Sequence, residues 1–220
     1  MNILDPKILE VSVVIPAGRA RLPADLVVPA GAPGLVIFAH GSGSSRLSPR
    51  NQSVASSLQQ RGLGTLLFDL LTEEEEREEY YTARLRFDIA LLARRLIAAT
   101  DWASQHETTC DLPAGYFGSS TGAAAALVAA ATDGRARAIV SRGGRPDLAE
   151  GHLERVEAPV LLIVGENDGR VIELNERARE QLRSKNSLAI VPQASHLFEE
   201  PGALEEVARL AGDFFLKHFK

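Results

Sequence analysis

Short apolar runs alternate with segments of helical spacing along most of this chain. Two β-like runs at 10–15 and 21–28, separated by a short segment with Pro16 and Gly18, predict a hairpin at the start. Six further runs are mainly apolar, as is typical of strands that helices cover on both faces. They lie at 35–39, 64–68, 114–117, 136–140, 160–164 and 188–191.

The segments between these runs predict helices. Ser48 and Pro49 predict a helix over 48–60, because serine favours the N-cap and proline the first helical position. Apolar residues at helical spacing predict one long amphipathic helix over 81–106. Further helical segments are predicted at 123–131, 147–155, 171–183 and 203–219. We therefore expect an α/β fold, in which a mostly parallel sheet with an antiparallel start carries helices on both faces.

The segment 118–122, Gly-Ser-Ser-Thr-Gly, lies where a predicted strand gives way to an alanine-rich helix. Gly-x-Ser-x-Gly at such a junction is the pattern of a nucleophile elbow, whose small residues let the chain turn sharply and hold the serine in a strained conformation. By itself the pentapeptide fits an ordinary glycine-assisted turn equally well. The strand-to-helix context favours the elbow, with Ser120 at its tip.

Polar and reactive residues follow the ends of the other predicted strands. In open α/β sheets, functional groups gather at the carboxyl ends of the strands, so we expect these residues at one edge of the sheet. A nucleophile, an acid and a histidine occur there in the order Ser120, Asp168, His196. The full set comprises 40–42, Asp69, Ser120, 141–145, Asp168 and His196.

Four segments carry a family resemblance that extends over nearly the whole chain: 40–46, 118–122, 162–168 and 194–198. The sequence resembles the α/β-hydrolase superfamily, and within it the dienelactone-hydrolase-like branch. The resemblance implies an eight-stranded sheet with an antiparallel second strand, and a Ser-Asp-His triad served by an oxyanion hole. Dienelactone hydrolases in the strict sense carry cysteine where this chain has Ser120. Related chains also occur joined to a phosphoribosyltransferase-like domain, and we expect no such extension in this chain.

The chemistry of these side chains suggests a role for each. His196 would accept the proton of the Ser120 hydroxyl and return it to the leaving group, and an acid would orient the imidazole. Asp168 is the first candidate for that acid, but Asp147 also follows a strand and could contact the same histidine. The oxyanion would be stabilised by two backbone N–H groups, those of Thr121 and Ser42. His40 is interpreted as a structural histidine.

Several arginines follow strands at the same predicted edge. Guanidinium groups there could bind a carboxylate of the substrate. The alternative, which we favour, is that these arginines pair with Asp147, Asp69 or the acidic block at 73–79. We interpret that block as a solvated loop or helix start, because no histidine accompanies its carboxylates. The arginines concerned are Arg46, Arg50, Arg142 and Arg145.

Composition and charge narrow the function further. With 220 residues the chain suits one domain, 1–220, and its net charge of −5 disfavours binding to nucleic acid. No signal peptide or run of about 20 apolar residues is seen, so we expect a cytoplasmic protein that does not bind membranes. The single Cys110 excludes an internal disulfide and is interpreted as a half-buried loop residue. No metal or organic cofactor is expected, since the remaining histidines lack ligand spacing.

These observations predict a hydrolase of small molecules. Only residues 141–158 separate two successive strands at the position where this superfamily commonly inserts a lid, which leaves no room for a large cap. A shallow site suits small or short-chain carboxylic esters. The alternatives are a dienelactone hydrolase, thioesterase or acyltransferase with the same triad, and a non-catalytic binding module with the same fold. We expect a monomer or a small homo-oligomer.

Overall fold

The computed structural model describes residues 8–82, 84–149 and 151–220, without the side chains at 80 and 82. In these ranges the chain forms one eight-stranded sheet and six α-helices. The strands are β1 (Leu9–Ala17), β2 (Ala20–Val28), β3 (Leu35–Ala39), β4 (Gly64–Phe68), β5 (Ala114–Ser119), β6 (Ile139–Arg142), β7 (Val160–Gly165) and β8 (Asn186–Val191). The helices are α1 (Pro49–Gln60), α2 (Glu73–Thr82), α3 (Ile89–Ala103), α4 (Thr121–Asp133), α5 (Gly169–Gln181) and α6 (Ala203–His218).

The strands lie in the order β1-β2-β4-β3-β5-β6-β7-β8. β2 runs antiparallel to both β1 and β4, and the remaining neighbours pair in parallel. This arrangement confirms the predicted fold class, including the antiparallel start. Because the parallel strands share one direction, their carboxyl ends meet at one edge of the sheet.

Each face of the sheet has its own apolar core, because successive side chains of a strand point to opposite faces. On one face, Ile139 and Leu162 pack with buried residues of α3 and α4. On the other face, Phe117 and Val140 pack with buried residues of α1 and α6. Helices therefore hold the strand ends in register from both sides.

The prediction of one long helix over 81–106 was wrong. The chain leaves α2 at Thr82, makes a 3-10 turn at Leu85–Phe87 and begins α3 at Ile89. Asp88 accounts for the restart, because its carboxylate accepts a hydrogen bond of 2.9 Å from the backbone N–H of Leu91 and caps the new helix. The apolar spacing continues through the break, so periodicity alone did not reveal it.

Other boundaries also differ from the predictions. The predicted helix over 147–155 is two short 3-10 turns, Pro146–Ala149 and Leu153–Arg155. β6 extends to Arg142, so two residues expected in the following loop are strand residues. Pro49 begins α1 as predicted, but Ser48 holds the N-cap without a side-chain hydrogen bond to the described first turn. Cys110 is exposed rather than half-buried.

None of the described helices is a candidate membrane span. Within the part of the chain that the structure describes, none of them combines the length and the apolar character that crossing a bilayer requires. The surface of α3 illustrates this, since Arg94 and Asp101 are exposed along it.

Candidate active site

Ser120 lies at the sharp turn between β5 and α4, with φ 49° and ψ −117°. A positive φ in a residue other than glycine costs about 1–3 kcal/mol and persists only where the surroundings impose it. Two glycines make this turn possible. A Cβ at Gly118 would overlap the backbone of Ala123, and one at Gly122 would overlap the carbonyl oxygen of Ala39. The elbow predicted from the sequence is therefore the backbone conformation of this segment.

Backbone hydrogen bonds from the end of β6 hold the elbow in place. The N–H of Ser120 donates to the carbonyl oxygen of Arg142 at 3.2 Å, and the N–H of Arg145 donates to the carbonyl oxygen of Ser120 at 3.1 Å. A third bond, from the N–H of Ala123 to Ser120 at 3.1 Å, begins α4. The position of Ser120 is thus tied to the neighbouring strand as well as to its own helix.

His196 and Asp168 meet at the same edge of the sheet. Nδ1 of His196 lies 2.6 Å from Oδ2 of Asp168, a hydrogen-bond distance. Asp168 follows β7 and holds the N-cap position of α5, and His196 follows β8. The imidazole packs beside Gly143, where a Cβ would lie 3.4 Å from Cε1. Since Nδ1 faces Asp168, Nε2 is the ring nitrogen left for a proton transfer.

Asp147, the other candidate for the acid, is bound elsewhere. Arg145 donates to both of its carboxylate oxygens, from Nε at 2.8 Å and from Nη2 at 2.7 Å. These hydrogen bonds hold the pKa of Asp147 below its usual value. The structure therefore brings Asp168, and not Asp147, into contact with His196.

The loop after β3 approaches the elbow directly. A Cβ at Gly41 would lie 3.2 Å from both the Cβ of Ser120 and the carbonyl oxygen of Ser119. Ser42 and Thr121 line one small cavity of about 10 Å³ beside this contact. The two residues predicted to supply oxyanion donors thus border the same space.

His40 in this loop has a structural environment. It is buried, its Nε2 accepts a hydrogen bond of 2.9 Å from the N–H of Leu70, and its Nδ1 donates to the carbonyl oxygen of Gly41 at 3.0 Å. Burial lowers the pKa of this imidazole, which favours its neutral form. Both ring nitrogens are occupied by the backbone, in agreement with the structural interpretation.

The arginines of the site edge are mostly paired with carboxylates. Arg46 binds Asp69 and Asp25, and Arg50 contacts Glu199 at 2.9 Å. Arg145 binds Asp147, as described above. Arg142 is different, because it is only 8 % exposed and its guanidinium has no hydrogen bond or ion pair to the described residues.

Sequence reasoning missed Arg86, which lines the cavity beside Ser42 and Thr121. Its Nε donates to Oε2 of Glu79 at 2.8 Å, and its Nη2 donates to the backbone carbonyl of Glu79 at 3.1 Å. Glu79 is 1 % exposed, although it belongs to the acidic block that was expected to be solvated. The break between α2 and α3 was the feature that could have indicated this pair, because it allows Arg86 to contact Glu79, seven residues earlier.

A carboxyl group shares this cavity with Arg86. Glu76 also lines it, and burial raises the pKa of Glu76 above its usual value even though Arg86 acts in the opposite direction. The remaining lining includes Leu70, Leu71 and Leu92. The cavity is therefore small and mainly apolar, with one cation and one weak acid at its wall.

Comparison with known proteins identifies the family. A family model described as an alpha/beta hydrolase domain matches residues 32–209, which is most of the chain. The chain belongs to the alpha/beta hydrolases. A crystal structure of a dienelactone hydrolase from Anabaena variabilis is 56 % identical, covers 98 % of this chain and 100 % of its own, and superposes with a TM-score of 0.95. This hydrolase is thus of the dienelactone-hydrolase-like type, as the sequence motifs indicated.

Two further comparisons concern a solved structure of low sequence identity and two longer relatives. Est1E from Butyrivibrio proteoclasticus has the same fold, with a TM-score of 0.79, 17 % identity and coverage of 94 % of this chain and 98 % of its own. Two Mycobacterium tuberculosis proteins, each named "Putative phosphoribosyl transferase", are 55 % identical over 216 residues. That match covers 97 % of this chain and 48 % of theirs, so the hydrolase spans about half the length of these relatives.

Proposed function

We propose that this protein is a serine hydrolase that cleaves small or short-chain carboxylic esters through an acyl-enzyme intermediate. Ser120 is the nucleophile, His196 the general base and then acid, and Asp168 the residue that orients the imidazole. The observation that carries the proposal is the strained Ser120 at the same sheet edge as the hydrogen-bonded His196–Asp168 pair. A small-molecule ester is the only partner that this mechanism requires.

The reaction begins when Oγ of Ser120 attacks the ester carbonyl and its proton passes to Nε2 of His196. The carboxylate of Asp168 stabilises the imidazolium that forms. The backbone N–H groups of Thr121 and Ser42 stabilise the oxyanion, and a donor of this kind contributes about 3 kcal/mol to the transition state. Collapse of the intermediate releases the alcohol, which takes the proton from His196, and water then cleaves the acyl-enzyme by the same route.

The size of the substrate follows from the space beside the oxyanion loop. Leu70 and Leu92 line a cavity of about 10 Å³, which has room for about one water-sized group, so only a small acyl group can contact it. Between β6 and β7 the described residues form only two 3-10 turns, and these do not amount to a lid. An open site with a small pocket favours short esters over long acyl chains.

Hydrolysis of p-nitrophenyl acetate by the wild type and by Ser120→Ala and His196→Ala tests the proposal. We expect turnover by the wild type and a loss of at least about a thousandfold in kcat for each variant, because each removes a member of the triad. Asn167→Ala is a matched control, since it changes an exposed residue beside Asp168 whose side chain donates to the backbone carbonyl of Gln193. Undiminished turnover by Ser120→Ala would assign the activity to another site.

Hydrolysis of a dienelactone is the second candidate. It is supported by the 56 % identity and TM-score of 0.95 to the Anabaena variabilis protein that bears this name. Both activities would use the same triad, so the substrate profile separates them. A kcat/KM for a dienelactone at least tenfold above that for p-nitrophenyl acetate would favour the lactone, and the reverse ratio the ester.

A further inference from the structure

Arg142 is a buried cation without a carboxylate. Its side chain is 8 % exposed, and its Nη1 is fully buried with no hydrogen-bond partner among the described residues. A buried charge that lacks a partner is strongly destabilising, so such groups are ordinarily paired or bound to a ligand. Arg142 therefore requires an explanation that the proposed ester hydrolysis does not provide.

The sheet register shows which way this side chain points. Arg142 of β6 pairs with Ser119 of β5, so both side chains lie on the same face of the sheet. The hydroxyl of Ser119 donates to Oδ1 of Asn51 in the first turn of α1, at 3.2 Å. The side chain of Arg142 thus lies on the face that carries the start of α1, and its strand partner Ser119 directly precedes the strained Ser120.

A second arginine, Arg50, lies at the start of α1, on the face of the sheet to which Arg142 points. Arg50 precedes Asn51 in α1, and its Nε is also buried without a partner among the described residues. Its other end contacts Glu199 at 2.9 Å, but that carboxylate is 62 % exposed and so offsets little of the charge. The first turn of α1 adds the partial positive charge of a helix N-terminus, and the described residues of that turn include no acid.

The guanidinium of Arg142 keeps its positive charge at neutral pH. Burial, and then repulsion by Arg50, lowers the pKa of Arg142 to about 10. Even so, its guanidinium remains protonated at pH 7. Two guanidinium groups with unused N–H donors, close enough for Arg50 to lower the pKa of Arg142, supply the kind of donors that bind tetrahedral or planar oxyanions.

We propose that Arg142 and Arg50, together with the first turn of α1, form an oxyanion-binding site beside the catalytic serine. Its ligand is a phosphate, sulfate or carboxylate group, which accepts hydrogen bonds from Nη1 of Arg142 and Nε of Arg50. This group can come from a free inorganic anion or from the substrate. The second source rests on the proposed ester hydrolysis, whereas the first does not.

The first experiment measures the thermal stability of the whole chain with and without inorganic phosphate, at ionic strength matched with sodium chloride. Saturating phosphate is expected to raise the Tm of the wild type by about 3 °C or more, because a ligand bound only to the native state stabilises it. Arg142→Met and Arg50→Gln should abolish this shift. Two variants are used because Arg142→Met changes a buried position, where substitutions often disturb folding, whereas Arg50 is half-buried near the surface.

Arg183→Gln is the matched control. Arg183 pairs with exposed Glu154 as Arg50 pairs with Glu199, but it lies between α5 and β8, at the opposite end of the strands. Its variant should keep the full phosphate shift. Ser120→Ala should keep it too, so that loss of hydrolysis and loss of anion binding are separate results.

The second experiment compares p-nitrophenyl butyrate with the p-nitrophenyl monoester of succinic acid, which carries a free carboxylate. If the anion belongs to the substrate, the wild type should prefer the succinyl ester at least tenfold in kcat/KM, and Arg142→Met and Arg50→Gln should lose this preference. A phosphate shift or this preference, lost in both variants, supports the site. Neither effect in the wild type, or the same effect in all variants, overturns it.

Discussion

At the scale of residues, the site depends on a few positions where no other residue fits. Ser120 holds a positive φ only because Gly118 and Gly122 leave space for the neighbouring backbone. The strain in the turn is balanced by hydrogen bonds to β6 and by the packing of α4. The effect of a substitution at Gly118 or Gly122 therefore depends on the backbone atoms that the added side chain would overlap.

Gly122→Ala should destabilise the protein strongly. The added Cβ would overlap the carbonyl oxygens of Ala39 and His40, which are backbone atoms that cannot rotate away. We expect a loss of at least about 3 kcal/mol in the free energy of unfolding, measured by urea denaturation. Gly169→Ala is the control, because nothing lies within 4 Å of its Cβ position and its effect should stay within about 0.5 kcal/mol. Equal effects would contradict the packing described for the elbow.

Asp168→Asn and Asp147→Asn separate the two candidate acids. Asp168 contacts His196 at 2.6 Å, so its amide variant should hold the wrong imidazole tautomer and lower kcat by about a thousandfold or more. Asp147 binds Arg145 instead, and its variant should change kcat less than about threefold. The measurement is steady-state hydrolysis of p-nitrophenyl acetate at pH 7.5. A larger loss in Asp147→Asn would reassign the acid.

At the scale of elements, the segment from α2 to α3 determines the shape of the pocket. Apolar spacing predicted one helix here, but the capping carboxylate of Asp88 and the ion pair between Glu79 and Arg86 stabilise a break. Such contacts join residues a few positions apart in a way that hydrophobic periodicity does not encode. The strands, by contrast, were predictable because a buried parallel strand must be apolar along its whole length.

Glu75 ties α2 to α3 and gives this segment a dependence on pH. Burial raises the pKa of Glu75, but hydrogen bonds from Arg95 and from the backbone of Thr72 outweigh it, and the net shift is downward. A lowered folded-state pKa means that the stability is present above the unfolded pKa and is lost as the pH falls through the folded value. Glu75→Gln should therefore cost about 2 kcal/mol at pH 7.

Urea denaturation at pH 7 and at pH 3 measures this effect. The difference between wild type and Glu75→Gln should shrink between pH 7 and pH 3, because the stabilisation by the charged carboxylate declines once the pH is below the unfolded pKa. Glu74→Gln is the control, since Glu74 is exposed and its replacement should have little effect at either pH. A difference that stays constant with pH would show that the carboxylate charge is not what stabilises α2.

At the scale of the whole molecule, the sheet brings distant residues to one edge. The placement of Ser120, Asp168 and His196 just after predicted strands indicated this gathering, and the sheet topology explains it, since they follow β5, β7 and β8. The favoured pairing of arginines with Asp69 and Asp147 is confirmed for Arg46 and Arg145, whereas the partner of Arg50 was not predictable, because it depends on which loop lies opposite. Arg86 lines the cavity although no motif or spacing pointed to it, and Arg142 lies inside the molecule because β6 is longer than its apolar run.

The size of the pocket should appear in the acyl-chain profile of the enzyme. The cavity beside Ser42 and Thr121 has a volume of about 10 Å³, and Leu92 is part of its lining. We expect kcat/KM for p-nitrophenyl esters to fall at least about tenfold between butyrate and octanoate, because the longer chain cannot be fully buried there. A rise of kcat/KM over the same series would mean that the acyl group occupies another surface.

The central claim is that Ser120 is the nucleophile, and covalent labelling tests it most directly. After incubation with a fluorophosphonate, intact-mass and peptide mass spectrometry should show one adduct on the peptide that contains Ser120 in the wild type. Ser120→Ala should show no adduct, and His196→Ala should react at least about a hundredfold more slowly, because the hydroxyl loses its base. A wild type that resists the reagent, or an adduct that persists in Ser120→Ala, would contradict the account.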